Sequence, residues 1–196
     1  MNYILASASP RRKELLTQMG ITDFQIIKST VEERITKTIP AEIVEELSEQ
    51  KCVDVAKTIK LPGSYLVIGA DTIVADHGHI LGKPKDEAHA FAMLSNLRGH
   101  EHSVFTGVTL CLCDNGMLQK KVTFHEETKV FMRSFSEEEI KAYITTKEPM
   151  DKAGSYGIQG RGAILVEKIH GDYNNVVGLP ITRLYEEMKR FCQTDS

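Results

Sequence analysis

No cysteine in this chain is placed to pair with another. Cys52, Cys111, Cys113 and Cys192 show neither a CxxC unit nor paired spacing, so the sequence indicates neither a zinc site nor a disulfide framework. Reduced thiols in a cytoplasmic setting are the expectation. A bilayer-spanning run is also missing: the longest apolar stretch, around Tyr65 to Ile68, falls far short of the ~20 residues needed to cross a membrane. The start, Met1-Asn2-Tyr3-Ile4, has no charged region followed by a long apolar one, so no cleavable export signal and no membrane partner are expected. Basic surplus is absent as well. With 24 Lys plus Arg against 27 Asp plus Glu, the formal charge is -3, which argues against a broad nucleic-acid footprint and a stable nucleic-acid partner. The serines lack a GxSxG elbow, no helix carries HExxH, and no cysteine sits in the context of a nucleophile.

What is present is ordinary globular material. A chain of 196 residues, 41% hydrophobic and 26% charged, can bury one good core, or two small lobes around a central cleft; a single domain over 1–196 is expected. A strand at residues 3–6 leads through Ser7-Ala8-Ser9 into a helix opened by Pro10 and stopped by Gly20. A second strand at 24–27 precedes a long helix that enters at Pro40 and ends at Pro62-Gly63. Tyr65 to Ala75 is the strongest strand, and His77-Gly78-His79 turns the chain back through Ile80 and Leu81. Asp86 caps a helix to Leu97, and the runs 102–113 and 120–133 form a hairpin around Asp114-Asn115-Gly116. Within it, Cys111 and Cys113 read as half-buried packing residues on one strand face. Ser136 and Glu139 make a capping box opening a helix to Ile144. A glycine-dense loop, a strand at 163–166 and an amphipathic helix from about Leu179 to Phe191 complete the chain. No repeat or low-complexity linker interrupts it. Interleaving of this kind predicts an α/β fold with a mixed sheet flanked by helices.

Four segments could carry chemistry. Ser7-Ala8-Ser9-Pro10-Arg11-Arg12-Lys13 brings hydroxyls and guanidinium groups to a helix N-terminus, where free N–H groups favour an anion. Cations in a first helical turn oppose the helix dipole, which itself points toward a bound anion; a plain serine cap with a solvated basic face is the alternative. Gly69-Ala70-Asp71-Thr72 delivers a carboxylate in a hydrophobic strand, where it must be paired, metal-bound or catalytic. Gly82-Lys83-Pro84 is not a Walker loop, since Pro84 stands where a magnesium-binding hydroxyl belongs, but Lys83 could still offer charge to a phosphate. Asp151 to Gly162 contains four glycines and Gln159, whose amide both donates and accepts; its spacing is not the dinucleotide fingerprint. The pairs His77-Gly78-His79 and His100-Glu101-His102 suggest metal only weakly, because neither has helical ligand spacing.

In order and spacing, SASPRRKELL, Glu33, the Leu47-to-Cys52 block, GADTIV, LGKP, HSVFTGV, DKAGSYGIQGRGA and GDYNNVVGLP resemble the Maf family of nucleotide pyrophosphatases over nearly the whole chain. The resemblance implies a Maf/HAM1-like (ITPase-like) fold with two lobes flanking a cleft for the triphosphate, usually in a homodimer. It implies hydrolysis of a nucleoside triphosphate to monophosphate and pyrophosphate with a divalent cation, Mg²⁺ or Mn²⁺. By position, Asp71 is similar to the family's proton acceptor and Glu33 to the carboxylate assisting the metal, so both are candidate catalytic and metal-binding residues. Ser7, Arg11, Arg12, Lys51 and Lys83 correspond to groups around the phosphates. Arg12, Thr72 and Gln159 resemble the dTTP/UTP branch, not the branch acting on 7-methyl-GTP. Ser48 and Cys52 stand where alanine is usual in the family. A non-catalytic role in septum formation, the function that gave the family its name, is the rival expectation, along with a purine-directed pyrophosphatase.

Overall fold

The computed structural model describes residues 1–193. It has an α/β architecture built on a seven-stranded sheet. In chain order the elements are β1 (Asn2–Leu5), α1 (Pro10–Gln18), β2 (Phe24–Ile26), α2 (Pro40–Thr58), β3 (Ser64–Asp76), β4 (His79–Leu81), α3 (Glu87–Leu97), β5 (Glu101–Asp114), β6 (Met117–Met132), α4 (Glu137–Thr145), β7 (Val166–His170), α5 (Tyr173–Val177) and α6 (Ile181–Gln193). The strand order is β2-β1-β3-β5-β6-β7, with β4 paired to β3. β1 runs parallel to both β2 and β3, whereas β3–β4 and β6–β7 are antiparallel. The sheet is therefore mixed. Among the described residues no helix is long and apolar enough to cross a membrane.

Local chemistry explains most boundaries. Ser9 accepts from the Arg12 N–H at the head of α1, and Asp86 accepts from the His89 N–H at the head of α3, so each supplies an acceptor for an orphan donor. Ser136 and Glu139 form both halves of a capping box at α4. Two tight turns take residues with positive φ, His77-Gly78 between β3 and β4 and Asn115-Gly116 between β5 and β6, as two-residue hairpin turns require. One expected strand is displaced. Of the expected strand at 163–166, only Val166 is in one: Gly160–Leu165 is a 3₁₀ segment, and β7 starts at Val166. The reason is tertiary, since a distant carboxylate holds this backbone in a turn, as described below.

The chain divides into two compact units. Unit 1 comprises Met1–Asp71, Thr106–Glu126 and Gly178–Ser196; unit 2 comprises Thr72–Phe105 and Glu127–Val177. The core of unit 1 packs α2 against β1, β3 and β5 through Ile4, Cys52, Val55, Tyr65, Val67, Cys111 and Cys113. Cys111 and Cys113 are fully buried, not half-buried; they belong to the side of β5 that α2 covers. In unit 2, Leu94 and Leu97 of α3, Ile140 and Ile144 of α4, and Val130 and Met132 of β6 meet in one cluster. Each fully buried aliphatic side chain of this kind contributes roughly 1.5–3 kcal/mol.

Two glycines set how closely α2 lies on the sheet. A Cβ at Gly107 of β5 would fall 2.2 Å from the Val44 carbonyl oxygen, and one at Gly69 of β3 would fall 2.6 Å from Cys52 Cβ and 2.7 Å from the Ser48 carbonyl oxygen. Any side chain at either position would meet helix backbone, which cannot rotate away. The absence of Cβ at these positions lets Lys51, on α2, approach the strand bearing Asp71.

Candidate active site

Six of the nine residues expected from the sequence fall in unit 1: Ser7, Arg11, Arg12, Glu33, Lys51 and Asp71. The two acids among them meet on the Lys51 ammonium. Its Nζ lies 2.5 Å from Asp71 Oδ1 and 3.0 Å from Glu33 Oε1. Side-chain exposure is 17% for Lys51 and 14% for Asp71 against 49% for Glu33, so the Lys51–Asp71 contact is the better shielded of the two and the less screened by solvent.

Three structural devices bring these groups together. Asp71 ends the buried stretch of β3, whose preceding residues Tyr65 to Ala70 are all solvent-free. Lys51 stands on α2 between Ser48 and Cys52, the two residues pressed against Gly69. Glu33 belongs to a strap, residues 27–38, without regular secondary structure. The strap is fastened to one face of α2 by side chains four residues apart. Asp54 accepts from Ser29 Oγ and the Thr30 N–H; Gln50 accepts from the Arg34 N–H and donates to the Arg34 carbonyl; Glu46 accepts from the Thr36 N–H and hydroxyl. Hydrogen bonds from Ser29 and from Thr36 hold the Asp54 and Glu46 carboxyls below their ordinary pKa values.

Arg12 is anchored at both ends of its guanidinium. Its Nε donates to the Gly178 carbonyl at 2.8 Å and its Nη1 donates to Ser7 Oγ at 3.1 Å. Burial lowers its pKa; the negative charge of Asp71 opposes that shift, the positive charge of Arg11 adds to it, and Glu33 again opposes it. The arginine therefore shares the electrostatic environment of both acids. The Ser7 hydroxyl also accepts from the Ser9 N–H at 3.3 Å, which ties the segment before α1 into the same group.

The other three residues, Thr72, Lys83 and Gln159, belong to unit 2. Thr72 is the next residue of β3 after Asp71. Lys83 is exposed in the segment after β4, whose Gly82 carbonyl accepts from the Gly154 N–H at 3.1 Å; the LGKP turn and the glycine-dense loop are thus joined. Gln159 is exposed immediately before the 3₁₀ segment. That segment depends on Glu148, which the sequence did not single out. Its carboxylate accepts from the Arg161 N–H at 3.0 Å, the Gly162 N–H at 3.1 Å and the Tyr143 hydroxyl at 2.9 Å. Desolvation works against the charged form of Glu148, but these donors outweigh it and its pKa is lowered. Gly162 allows no side chain, since a Cβ would sit 2.3 Å from the Gly157 carbonyl oxygen and 2.6 Å from the Tyr143 hydroxyl.

This order of motifs over almost the full length matches the Maf-like protein family across residues 2–191. The chain belongs to the Maf family. Its relatives include the dTTP/UTP pyrophosphatase of Agathobacter rectalis, 52% identical over 197 residues that cover 95% of this chain and 96% of that protein. The dTTP/UTP pyrophosphatase of Bacillus cytotoxicus is 53% identical over 190 residues, covering 96% and 95% of the two chains. Among solved structures, a HAM1 protein from Coxiella burnetii aligns with a TM-score of 0.46 at 14% identity, over 85% of this chain and 80% of that one.

As a place for a cation, the Glu33–Asp71 pair is chemically apt. Two carboxylate oxygens from different segments already meet on one positive charge, the Lys51 ammonium. Magnesium-type ions are commonly held by one or two carboxylates, with substrate phosphates and water completing the shell.

Proposed function

We propose that this Maf-family protein is a hydrolase that cleaves nucleoside triphosphates at the α-phosphorus, releasing monophosphate and pyrophosphate, with dTTP and UTP as preferred substrates. The carrying observation is the convergence of Asp71 and Glu33 on Lys51, in the electrostatic environment of Arg12. Family membership and the names of relatives about half identical in sequence support the reaction class and the pyrimidine preference.

A polyphosphate repels a nucleophile, so the protein must supply positive charge and a proton acceptor together. Lys51 and Arg12 supply charge in unit 1. Asp71, held on a buried strand, accepts the proton of the attacking water at its carboxylate. Arg12 is fixed through Nε and Nη1, so its guanidinium is already ordered and loses little side-chain freedom on binding. A divalent cation held by Glu33 and Asp71 would neutralise phosphoryl oxygens and acidify bound water. Gln159 is assigned to the base, where its amide matches the O4 acceptor and N3–H donor of a pyrimidine. Thr72 and Lys83 are assigned to the same substrate by their family positions, and Lys83 provides a point charge for phosphate.

The test is a panel of nucleoside triphosphates with Mg²⁺ in water enriched in heavy oxygen. Label in the monophosphate reports attack at the α-phosphorus, and label in the pyrophosphate sinks that assignment. Asp71→Asn should abolish turnover of dTTP and UTP while leaving the unfolding transition cooperative. An Asp71→Asn protein with undiminished turnover would remove Asp71 as proton acceptor, and a preference for purine triphosphates would remove the base assignment.

A further inference from the structure

The sequence holds two His-x-His pairs, and the structure takes one histidine from each. Asp76, the last residue of β3, presents Oδ1 to His77 Nδ1 at 2.9 Å and to His100 Nε2 at 3.2 Å. One ligand atom from each of the three residues lies within 4.8 Å of the other two. We propose that Asp76, His77 and His100 form a binding site for a borderline transition-metal cation of the Zn²⁺ class, built from residues other than the Glu33–Asp71 pair.

The donor set selects the ion. Two imidazoles and one carboxylate suit Zn²⁺, Co²⁺ or Ni²⁺, whereas Mg²⁺ and Ca²⁺ prefer oxygen ligands. Geometry agrees with this. At metal–ligand distances of about 2.0–2.1 Å, the ligand atoms of a tetrahedral site stand roughly 3.3 Å apart, close to the carboxylate–imidazole separations of 2.9 and 3.2 Å. The rings of His77 and His100 are not stacked; their planes are tilted by 57° with centroids 5.5 Å apart, which leaves their nitrogens free to converge. In the metal-free form each imidazole hydrogen bonds to the shared carboxylate oxygen. On metal binding, the ring proton would reside on the other nitrogen, freeing the coordinating lone pair.

All three ligands stand on well-fixed backbone, as a specific site needs. Asp76 pairs with His79 in the β3–β4 register. His77 occupies the first positive-φ position of the intervening turn, at φ 46°, followed by Gly78 at φ 79°. His100 immediately precedes β5, and its carbonyl accepts from the Met132 N–H at 3.1 Å, while Gly99 donates to the Arg133 carbonyl at 3.2 Å. Two residues further on, His102 is buried, with Nε2 on the Tyr156 hydroxyl at 2.7 Å. Such an ion would pin the β3–β4 turn to the start of β5, and that turn leads through the three-residue β4 into the segment bearing Lys83. Asp76 has a side-chain exposure of 15%, His100 34% and His77 77%, so the cluster opens to solvent on the His77 side and an ion has a route of entry.

The test uses the full-length protein stripped with a chelator and titrated with Co²⁺, whose visible ligand-field bands report a low-coordinate nitrogen–oxygen site, followed by displacement with Zn²⁺. The same titration is run on the Glu33→Gln/Asp71→Asn protein, which removes the other acid pair. One tight equivalent is expected in both, with affinity weakened about a hundredfold or more in His77→Ala/His100→Ala. Imidazole ¹⁵N resonances of the intact protein provide a readout that does not depend on the variants folding. Zn²⁺ should shift Nδ1 of His77 and Nε2 of His100. Absence of a tight equivalent, a signal lost only with Glu33→Gln/Asp71→Asn, or unmoved His77 and His100 resonances would each overturn the site.

Discussion

Replacing Gly69 with alanine tests whether the close approach of α2 to the sheet sets up the Lys51–Asp71 contact. The new Cβ would stand 2.6 Å from Cys52 Cβ, 2.7 Å from the Ser48 carbonyl oxygen and 2.9 Å from the Cys52 nitrogen. Carbon–carbon contacts relax to about 3.5–4.0 Å, so α2 must retreat by about 1 Å at this turn. Overpacking of this size typically costs about 1–3 kcal/mol, which lowers Tm by roughly 2–12 °C for a chain of this length. Lys51 lies between Ser48 and Cys52 and moves with them, so its 2.5 Å contact with Asp71 opens toward about 3.5 Å. A displacement near 1 Å at reacting groups can cost on the order of a hundredfold in rate. The assays are calorimetric melting and steady-state hydrolysis of dTTP. Gly82→Ala is the control for stability, because nothing lies within 4 Å of a Cβ there; its Tm should stay close to that of the parent. If Gly69→Ala melts and turns over like the parent protein, the glycine does not set the helix position and the reasoning fails.

Glu148→Gln should destabilise unit 2 by about 2–4 kcal/mol, because it places an amide N–H against donors that now meet a carboxylate; chemical denaturation reads this directly. Since the Glu148 pKa is lowered on folding from 4.5, its contribution is fully present above that value. It fades as pH falls through the lower, folded value, so the gap between parent and Glu148→Gln should close in acid. If Gln159 reads the base, the same variant should also erode dTTP selectivity over GTP; unchanged selectivity would separate the loop clamp from base recognition. Lys51→Met should leave Asp71 and Glu33 facing each other without their cation, lowering turnover at least tenfold while increasing the thermal stabilisation produced by added Mg²⁺. A variant with less Mg²⁺ stabilisation than the parent would show that the two acids do not share an ion.

Much of the fold was legible because its signals are local. Ser9, Asp86 and Ser136 cap helices through N–H groups three residues away, and His77-Gly78 and Asn115-Gly116 carry their turn chemistry within two residues. The exceptions all depend on distant partners. Ala163 to Val166 has the composition of a buried strand, yet Glu148, more than ten residues earlier, takes the nearby N–H groups and bends the backbone into a 3₁₀ turn. The demand for glycine at 69 and 107 comes from a helix that neither strand can anticipate. At the candidate site, the motifs supplied Asp71, Glu33, Lys51 and Arg12, but not the Gly178 carbonyl that orients Arg12, nor the Asp54, Gln50 and Glu46 ladder that carries Glu33. The Asp76–His77–His100 group was obscured for a related reason: its spacing in sequence is uninformative until the strands bring it together.

The strap carrying Glu33 has a consequence in time. Asp71 lies in a paired strand and can leave its position only if the sheet opens, whereas Glu33 hangs on backbone fastened by exposed hydrogen bonds to three half-buried side chains. Such rungs release with little free energy, on timescales much shorter than strand separation. The two acids therefore keep different clocks, one permanent and one intermittent. Amide exchange at Thr30, Arg34 and Thr36 should outpace that at Ile68 by orders of magnitude, and comparable protection would mean that the strap is as fixed as the strand. With the faster clock at Glu33, the second carboxylate can leave and return many times while the first holds still.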